Sequence, residues 1–311
     1  MAHEDTDTKY SILQTLCYFD VFQHPLNIDE IQSFANEPLA IEILSENLEP
    51  LHKNGIINHY EGYYFLKERD ITCVQMRKDK EARALGMMRK ARFIAKGMAH
   101  FPFVDAVCLS GSMSKGIMSK DGDLDYFIIT KPGRLWIART MLVAFKKIFL
   151  LNSHRYFCPN YFVDRTHLQI PDRNLFTATE ILTLHPMVNQ EAYKDFLSAN
   201  NWTRKFLPSF SMNKEADSPK QKSNALKVFI EWIFSGILGE KLDNALFRIT
   251  LKHWKRKFPA FNNETFDLRL RTRKTVSKHH PQGYQDKVLS ACKEKMKILQ
   301  ESIKERGKKV A

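Results

Sequence analysis

The sequence predicts an α+β protein: a mixed sheet flanked by helices, preceded by a small helical unit and followed by a basic helical region. Three observations carry this. Apolar residues recur at the helix period in TKYSILQTLCYFDVF, at positions 12, 13, 16, 19 and 22. Three apolar runs have strand length: VDAVCLS (104–110), LDYFIIT (124–130) and RYFCPNYFVD (155–164). Between the last two, RLWIARTMLVAFKKIFLL (134–151) has helical length and periodicity, and from 225 onward the pattern is again helical and rich in Lys and Arg.

Near the N-terminus, Pro25 ends the first helix, and Asn27 with Glu30 forms a capping pair for NIDEIQSFA. A third helix, LAIEILSENLEPLHKN, stops before Gly55. Strands IINHY and YYFLK flank Glu61-Gly62, a two-residue turn whose glycine accepts positive φ. Helix, helix, helix, hairpin is the order of a winged helix, so residues 1–69 are read as a winged-helix-like unit. Its third helix carries Glu42, Glu46 and Glu49 against Lys53. Such a helix repels phosphates, so sequence-specific DNA binding is not expected.

Residues 70–207 are read as a central α/β core, led by a basic linker helix (70–99) with Lys78, Lys80, Arg83, Arg89, Lys90, Arg92 and Lys96. Thr177 and Glu180 match a capping box opening a helix that ends at His185-Pro186. Residues 208–311 form the third unit, and 208–224 are polar and proline-bearing, a linker or loop. An amphipathic segment (225–258) follows, with the aromatics at 229–234 expected in the core. If extended, Arg269, Arg271 and Arg273 share one face as a phosphate-binding stripe; if helical, they scatter. His279-His280 is expected in a surface loop, ahead of a last basic helix.

Composition narrows the function classes. With 311 residues, 43% hydrophobic and 27% charged, the chain can bury real cores. The start, MAHEDTDTKY, lacks a basic-then-apolar leader, and the best apolar run (226–238) is short and interrupted by Lys227 and Glu231. A cytoplasmic location with no membrane partner is the expectation. The five cysteines are scattered without a CxxC pair, which fits free thiols rather than a zinc site. The net charge of +13 is uneven: residues 214–311 hold 23 Lys and Arg against 11 Asp and Glu. That field attracts polyanions such as nucleotides or RNA.

The chemistry concentrates in GSMSKGIMSKDGDLDYFIIT (111–130). Strand side chains alternate faces, so Asp123 and Asp125 project together, roughly 6–7 Å apart along the backbone. Two carboxylates that close need a cation, and Mg²⁺ takes carboxylate and phosphate oxygens together. Gly111-Ser112 follows an apolar run and precedes a helix-forming segment, where a glycine lets the backbone approach a phosphate. Lys115 can meet the same phosphates as a point charge.

Gly111-Ser112, ten residues, then Asp123-Leu124-Asp125-Tyr126 resembles the signature of the DNA polymerase β-like nucleotidyltransferase superfamily, over about residues 100–170. The resemblance implies a nucleoside triphosphate substrate, ATP being the expected donor. It implies two Mg²⁺ ions (Mn²⁺ as substitute) on Asp123 and Asp125, Gly111, Ser112 and Lys115 on the phosphates, and in-line attack on the α-phosphate. The family usually adds a third carboxylate from a neighbouring strand. Asp164 is the candidate, as metal ligand and helper in deprotonating the acceptor; Asn160 shares its face, and Asp172 and Glu180 are its rivals. The acceptor is expected to be anionic, such as RNA, a nucleotide or a phosphorylated metabolite, bound through the basic C-terminal region. The alternative is a catalytically degenerate nucleotide-binding or regulatory module acting through the winged-helix-like unit.

Overall fold

The computed structural model describes residues 2–153, 155–211, 218 and 224–310. Helices α1 (Ala2–Asp20), α2 (Ile28–Phe34) and α3 (Ile41–Lys53) lead into a hairpin of β1 (Ile57–Tyr60) and β2 (Tyr63–Leu66). The Asn27 cap forms as expected: its side chain accepts from Glu30 N while Glu30 returns a bond to Asn27 N. Leu26 and Tyr64 exchange backbone hydrogen bonds of 3.0 and 2.7 Å, which ties the segment before α2 to the hairpin.

Helix α4 (Thr72–Ala99) crosses to the central sheet and turns Arg83, Arg89, Lys90, Arg92 and Lys96 outward. The sheet elements follow in the order β3 (Val104–Ser110), the short α5 (Gly111–Ser114), β4 (Asp125–Thr130), α6 (Leu135–Phe149) and β5 (Cys158–Asp164). Next come α7 (Leu175–Leu182), β6 (His185–Val188) and α8 (Gln190–Ala199). The C-terminal part holds α9 (Ala225–Ile233), α10 (Ile237–Lys257), α11 (Asn263–Leu270), β7 (Thr272–Arg273), β8 (Val276–Lys278) and α12 (Tyr284–Val310). The six-stranded sheet runs β6-β3-β4-β5-β8-β7 and is mixed: β4 and β5 are parallel, the other neighbours antiparallel. The chain is thus an α+β protein.

Strand β4 reads DYFIIT without alternation because both faces of the sheet are covered. Tyr126, Ile128 and Phe162 pack on Ala91, Ala95 and Met98 of α4 and on Trp136 and Leu142 of α6. On the other face Phe127, Ile129 and Val163 meet Ile181, Tyr193 and Phe196 of α7 and α8. A separate core joins α1, α2 and α3 to Val288, Cys292, Met296 and Leu299 of α12. Residues beyond 208 therefore contribute to both cores, as the outer strands of the sheet and as a helix on the N-terminal unit.

Several local expectations change. His185-Pro186 is not a helix end but opens β6, beside β3. The cap of α7 is Asn174, accepting from Thr177 N, so Thr177 lies inside the first turn. The segment 225–258 breaks between α9 and α10, where Arg134 Nε donates to Phe234 O at 2.7 Å. Gly239 is required there, since a Cβ would sit 1.8 Å from that carbonyl oxygen. Of the expected loop at 208–224, residues 212–217 and 219–223 lie outside the described residues. Among those described, no helix is long and apolar enough to cross a membrane.

One carboxylate fixes α10 on the sheet layer. Asp243 is fully buried and accepts from Trp136 N (2.8 Å) and Ile137 N (2.9 Å), the free donors at the start of α6, with Lys274 paired to its other oxygen. Replacing it leaves two buried N–H groups and an ammonium without partners. Asp243→Ala is expected to cost about 3–5 kcal/mol in urea unfolding, and a change below about 1 kcal/mol would contradict this bracing role.

Candidate active site

The register of β3 and β4 builds the site. Ser110 pairs with Asp125, so the chain leaves β3 at the point where β4 begins. Gly111 then turns with φ of +66°, and a Cβ added to it would lie 2.7 Å from Asp125 Oδ2. Only glycine permits that backbone conformation and that approach together. Leu124 is buried in the core, Asp125 opens β4, and Asp123, two residues before it, acts on Asp125 by charge repulsion. Asp123 and Ser112 are exposed, whereas Asp125 is half-buried.

Lys115 reaches back from the end of α5: its Nζ donates to Gly111 O at 3.0 Å and to Glu180 Oε1 of α7 at 2.7 Å. Asn160 Nδ2 donates to Asp125 Oδ1 at 2.9 Å. Asn160 can do so because β5 bulges: Tyr126 pairs with Pro159 and Phe127 with Tyr161, leaving Asn160 as the extra residue. Cys158 stands opposite Asp125 and also hydrogen-bonds to it.

The electrostatics follow from this packing. Burial raises the Asp125 pKa to about 7; the Cys158 hydrogen bond opposes the rise, Asp123 and Glu180 add repulsion, and Lys115 counters them. Burial pushes the Cys158 thiol up to about 12, so it remains a neutral donor. Lys146, near the end of α6, has its pKa lowered by burial, with the carboxylates of Asp123 and Asp125 opposing the fall. The cluster is an excess of carboxylate around a glycine turn, with a lysine at each side.

Of the residues singled out in the sequence, the structure brings together Gly111, Lys115, Asp123 and Asp125, with Ser112 on the adjoining turn. Asp164 does not join them. It pairs with Thr130 at the far end of β4, five residues from Asp125, or roughly 17 Å of strand. Its buried carboxylate accepts from Gly133 N (2.6 Å) and from Thr166 N and Oγ1 (2.9 and 2.6 Å), which braces the loop after β4. Asp172 is held by Arg271 and Lys278. Of the two rivals, Glu180 has the carboxylate that acts on Asp125, and Asn160, which shares the face of Asp164 by strand parity, touches Asp125 directly.

The arginine stripe does not form either. Arg271 is buried against Asp172, Arg273 pairs with Asp267, and Arg269 sits 3.8 Å from Asp286. His279 and His280 are not a surface loop but the wall beside β5. His279 N donates to Asn160 O at 3.0 Å and its ring stacks on Trp254, while His280 lies edge-on to Tyr161. Their adjacency in sequence gave no sign of this; only the pairing of β8 with β5 brings them there.

Asp123 and Asp125 supply the hard oxygen donors a divalent cation prefers, and their mutual repulsion is what such an ion relieves. Among the described residues no group of three His, Cys, Asp or Glu side chains converges as a ready metal cluster. An ion held by this pair would take its remaining ligands from outside the protein. No family model, curated protein or solved structure matches this chain.

The raised pKa has a testable sign. Between about 4 and 7 the folded chain keeps a proton on Asp125 that the unfolded chain releases near 3.8. Stability therefore falls as pH rises through that window. Urea unfolding over a pH series is expected to show a shallower fall for Asp125→Asn than for the wild type, and identical profiles would refute the assignment.

Proposed function

We propose that the chain is a metal-dependent nucleotidyltransferase that moves a nucleoside monophosphate from a triphosphate, with ATP as the expected donor, to an anionic acceptor. The observation that carries this reading is the contact of the Gly111 turn with Asp125. It puts a backbone able to approach phosphate against a carboxylate able to hold a cation. In this reading residues 1–69 are a winged-helix-like unit and β3 to β5 the core of a nucleotidyltransferase domain.

The roles follow from position. Gly111 and Ser112 offer backbone N–H and hydroxyl to the β- and γ-phosphates, and Lys115 neutralises them after releasing Glu180. Asp123 and Asp125 hold Mg²⁺ or Mn²⁺, which when bound supplies charge stabilisation on the reacting phosphate. Asn160 and Cys158 orient Asp125 through hydrogen bonds. Glu180, freed from Lys115, is the group placed to take the acceptor proton. The acceptor approaches from the basic C-terminal side.

A second reading is favoured by Asn160. An amide on β5, where the superfamily pattern places an acid, suits a domain that binds nucleotide without transferring it. Release of pyrophosphate separates the two: incubation with labelled ATP and Mg²⁺ gives product in the first reading and only bound ATP in the second.

Asp123→Ala is expected to lower transfer by at least about 10²–10³-fold. Asp164→Ala should leave the rate within about threefold while losing about 1–3 kcal/mol of stability. Full transfer by Asp123→Ala would end the proposal. Glu180→Gln is expected to lower kcat by about 10²-fold or more with ATP affinity retained. An unchanged kcat would remove Glu180 from proton transfer.

A further inference from the structure

Helix α9 is amphipathic in the reverse sense. Its two charged residues face inward: Lys227 Nζ donates to Ala99 O and Val104 O, each at 2.8 Å. Glu231 accepts from Phe103 N at 2.8 Å and pairs with Lys131. These two stand four residues apart, so they share a face, and the apolar face is left outward. Phe229 is 56% exposed and Trp232 72%, their rings stacked with centroids 6.4 Å apart. Leu226 (66%), Ile237 (73%) and Leu238 (59%) extend the patch across the break into α10. Lone exposed apolar residues need no explanation, but a contiguous aromatic and aliphatic face does.

The rest of the surface identifies what covers it. Along α10 the outward side carries Lys241, Arg248, Lys252, Lys255 and Arg256, with Ile249 exposed among them. Across 225–257 the acidic residues are Glu231, Glu240 and Asp243; the first and last are engaged as described, and only Glu240 is exposed. A second copy of this chain meeting the same face would bring two basic stripes together. The sequence before α9, MNKEADSPKQKS, offers only Met212 and Pro219 as apolar side chains larger than Ala and holds three lysines against Glu215 and Asp217. Single-stranded RNA would stack on Phe229 and Trp232, yet Leu226, Ile237 and Leu238 give bases no partner. A bilayer with anionic headgroups accepts all of these groups: aromatic and aliphatic side chains at the acyl boundary, Lys and Arg at the phosphates.

We propose that α9 and the outward side of α10 dock this protein peripherally on an anionic lipid surface. The docking does not depend on the chemistry assigned to Asp123 and Asp125. The sequence expectation of no membrane partner rested on the absence of a spanning segment, which is a separate property.

Co-sedimentation of the full-length chain with vesicles tests this, using phosphatidylcholine alone and phosphatidylcholine with phosphatidylglycerol. Binding is expected to the mixed vesicles only, weakened by salt, and about tenfold weaker or more for the double variant Phe229→Ser, Trp232→Ser. Both side chains are mostly exposed, so the variant's melting temperature should match the wild type. Absence of binding to anionic vesicles, or equal binding by the variant, overturns the proposal. So does a lipid-free dimer in sedimentation velocity that the double variant abolishes, which assigns the face to a second copy. Affinity for single-stranded RNA that the double variant loses, without vesicle binding, assigns it to nucleic acid instead.

Discussion

The close approach of the Gly111 backbone to the Asp125 carboxylate is the constraint from which the site follows. Because Ser110 and Asp125 are registered partners, the turn after β3 has to pass over the first residue of β4. A side chain at 111 would collide with Oδ2, and a shift of register by one residue would send Asp125 into the core occupied by Leu124. The half-buried carboxylate then needs donors. Asn160 and Cys158 provide them from the parallel strand, and the bulge at Asn160 exists where that donation is made. Turn, register and bulge are one arrangement.

What the sequence revealed and what it concealed divide along the range of the interactions. The pairing of Asp123 with Asp125 follows from strand alternation, and the glycine requirement at 111 from a turn between two apolar runs; both are local. The cap on α2 was equally legible, since Asn27 and Glu30 bond each other across three residues. The third position was not. Asp164 closes a strand with the right parity, but parity does not say how far along the partner a residue pairs. Register sets that, and it places Asp164 opposite Thr130. Glu180 enters through the packing of α7 on the sheet, a contact between residues 65 apart in the chain with Lys115.

The histidine pair and the arginines fail for a related reason. Their surroundings are made by β8 joining the sheet beside β5, and β7 and β8 are too short for periodicity to announce them. Once Lys278 and Arg271 are carried to Asp172, the arginines that look like a phosphate stripe are internal ion pairs. Likewise the aromatics of α9 look like core in sequence because apolar residues normally face inward. Here Lys227 and Glu231 hold that side, satisfying backbone groups at the end of α4 and the start of β3.

This use of charge shapes where the acids and the basic residues of the C-terminal part stand. Asp243 caps α6, Asp267 lies between Arg271 and Arg273, Asp286 faces Arg269, and Glu231 holds Phe103 N and Lys131. Asp243 and Glu231 are drawn inward because a carboxylate accepts backbone N–H groups that no lysine can. The lysines and arginines of α10 have no such demand on them and remain outside. An outward positive surface beside an unpartnered apolar helix is therefore a consequence of how the fold satisfies its buried donors. It leaves a field whose reach is set by salt, on the side of the molecule where anionic partners would first be felt.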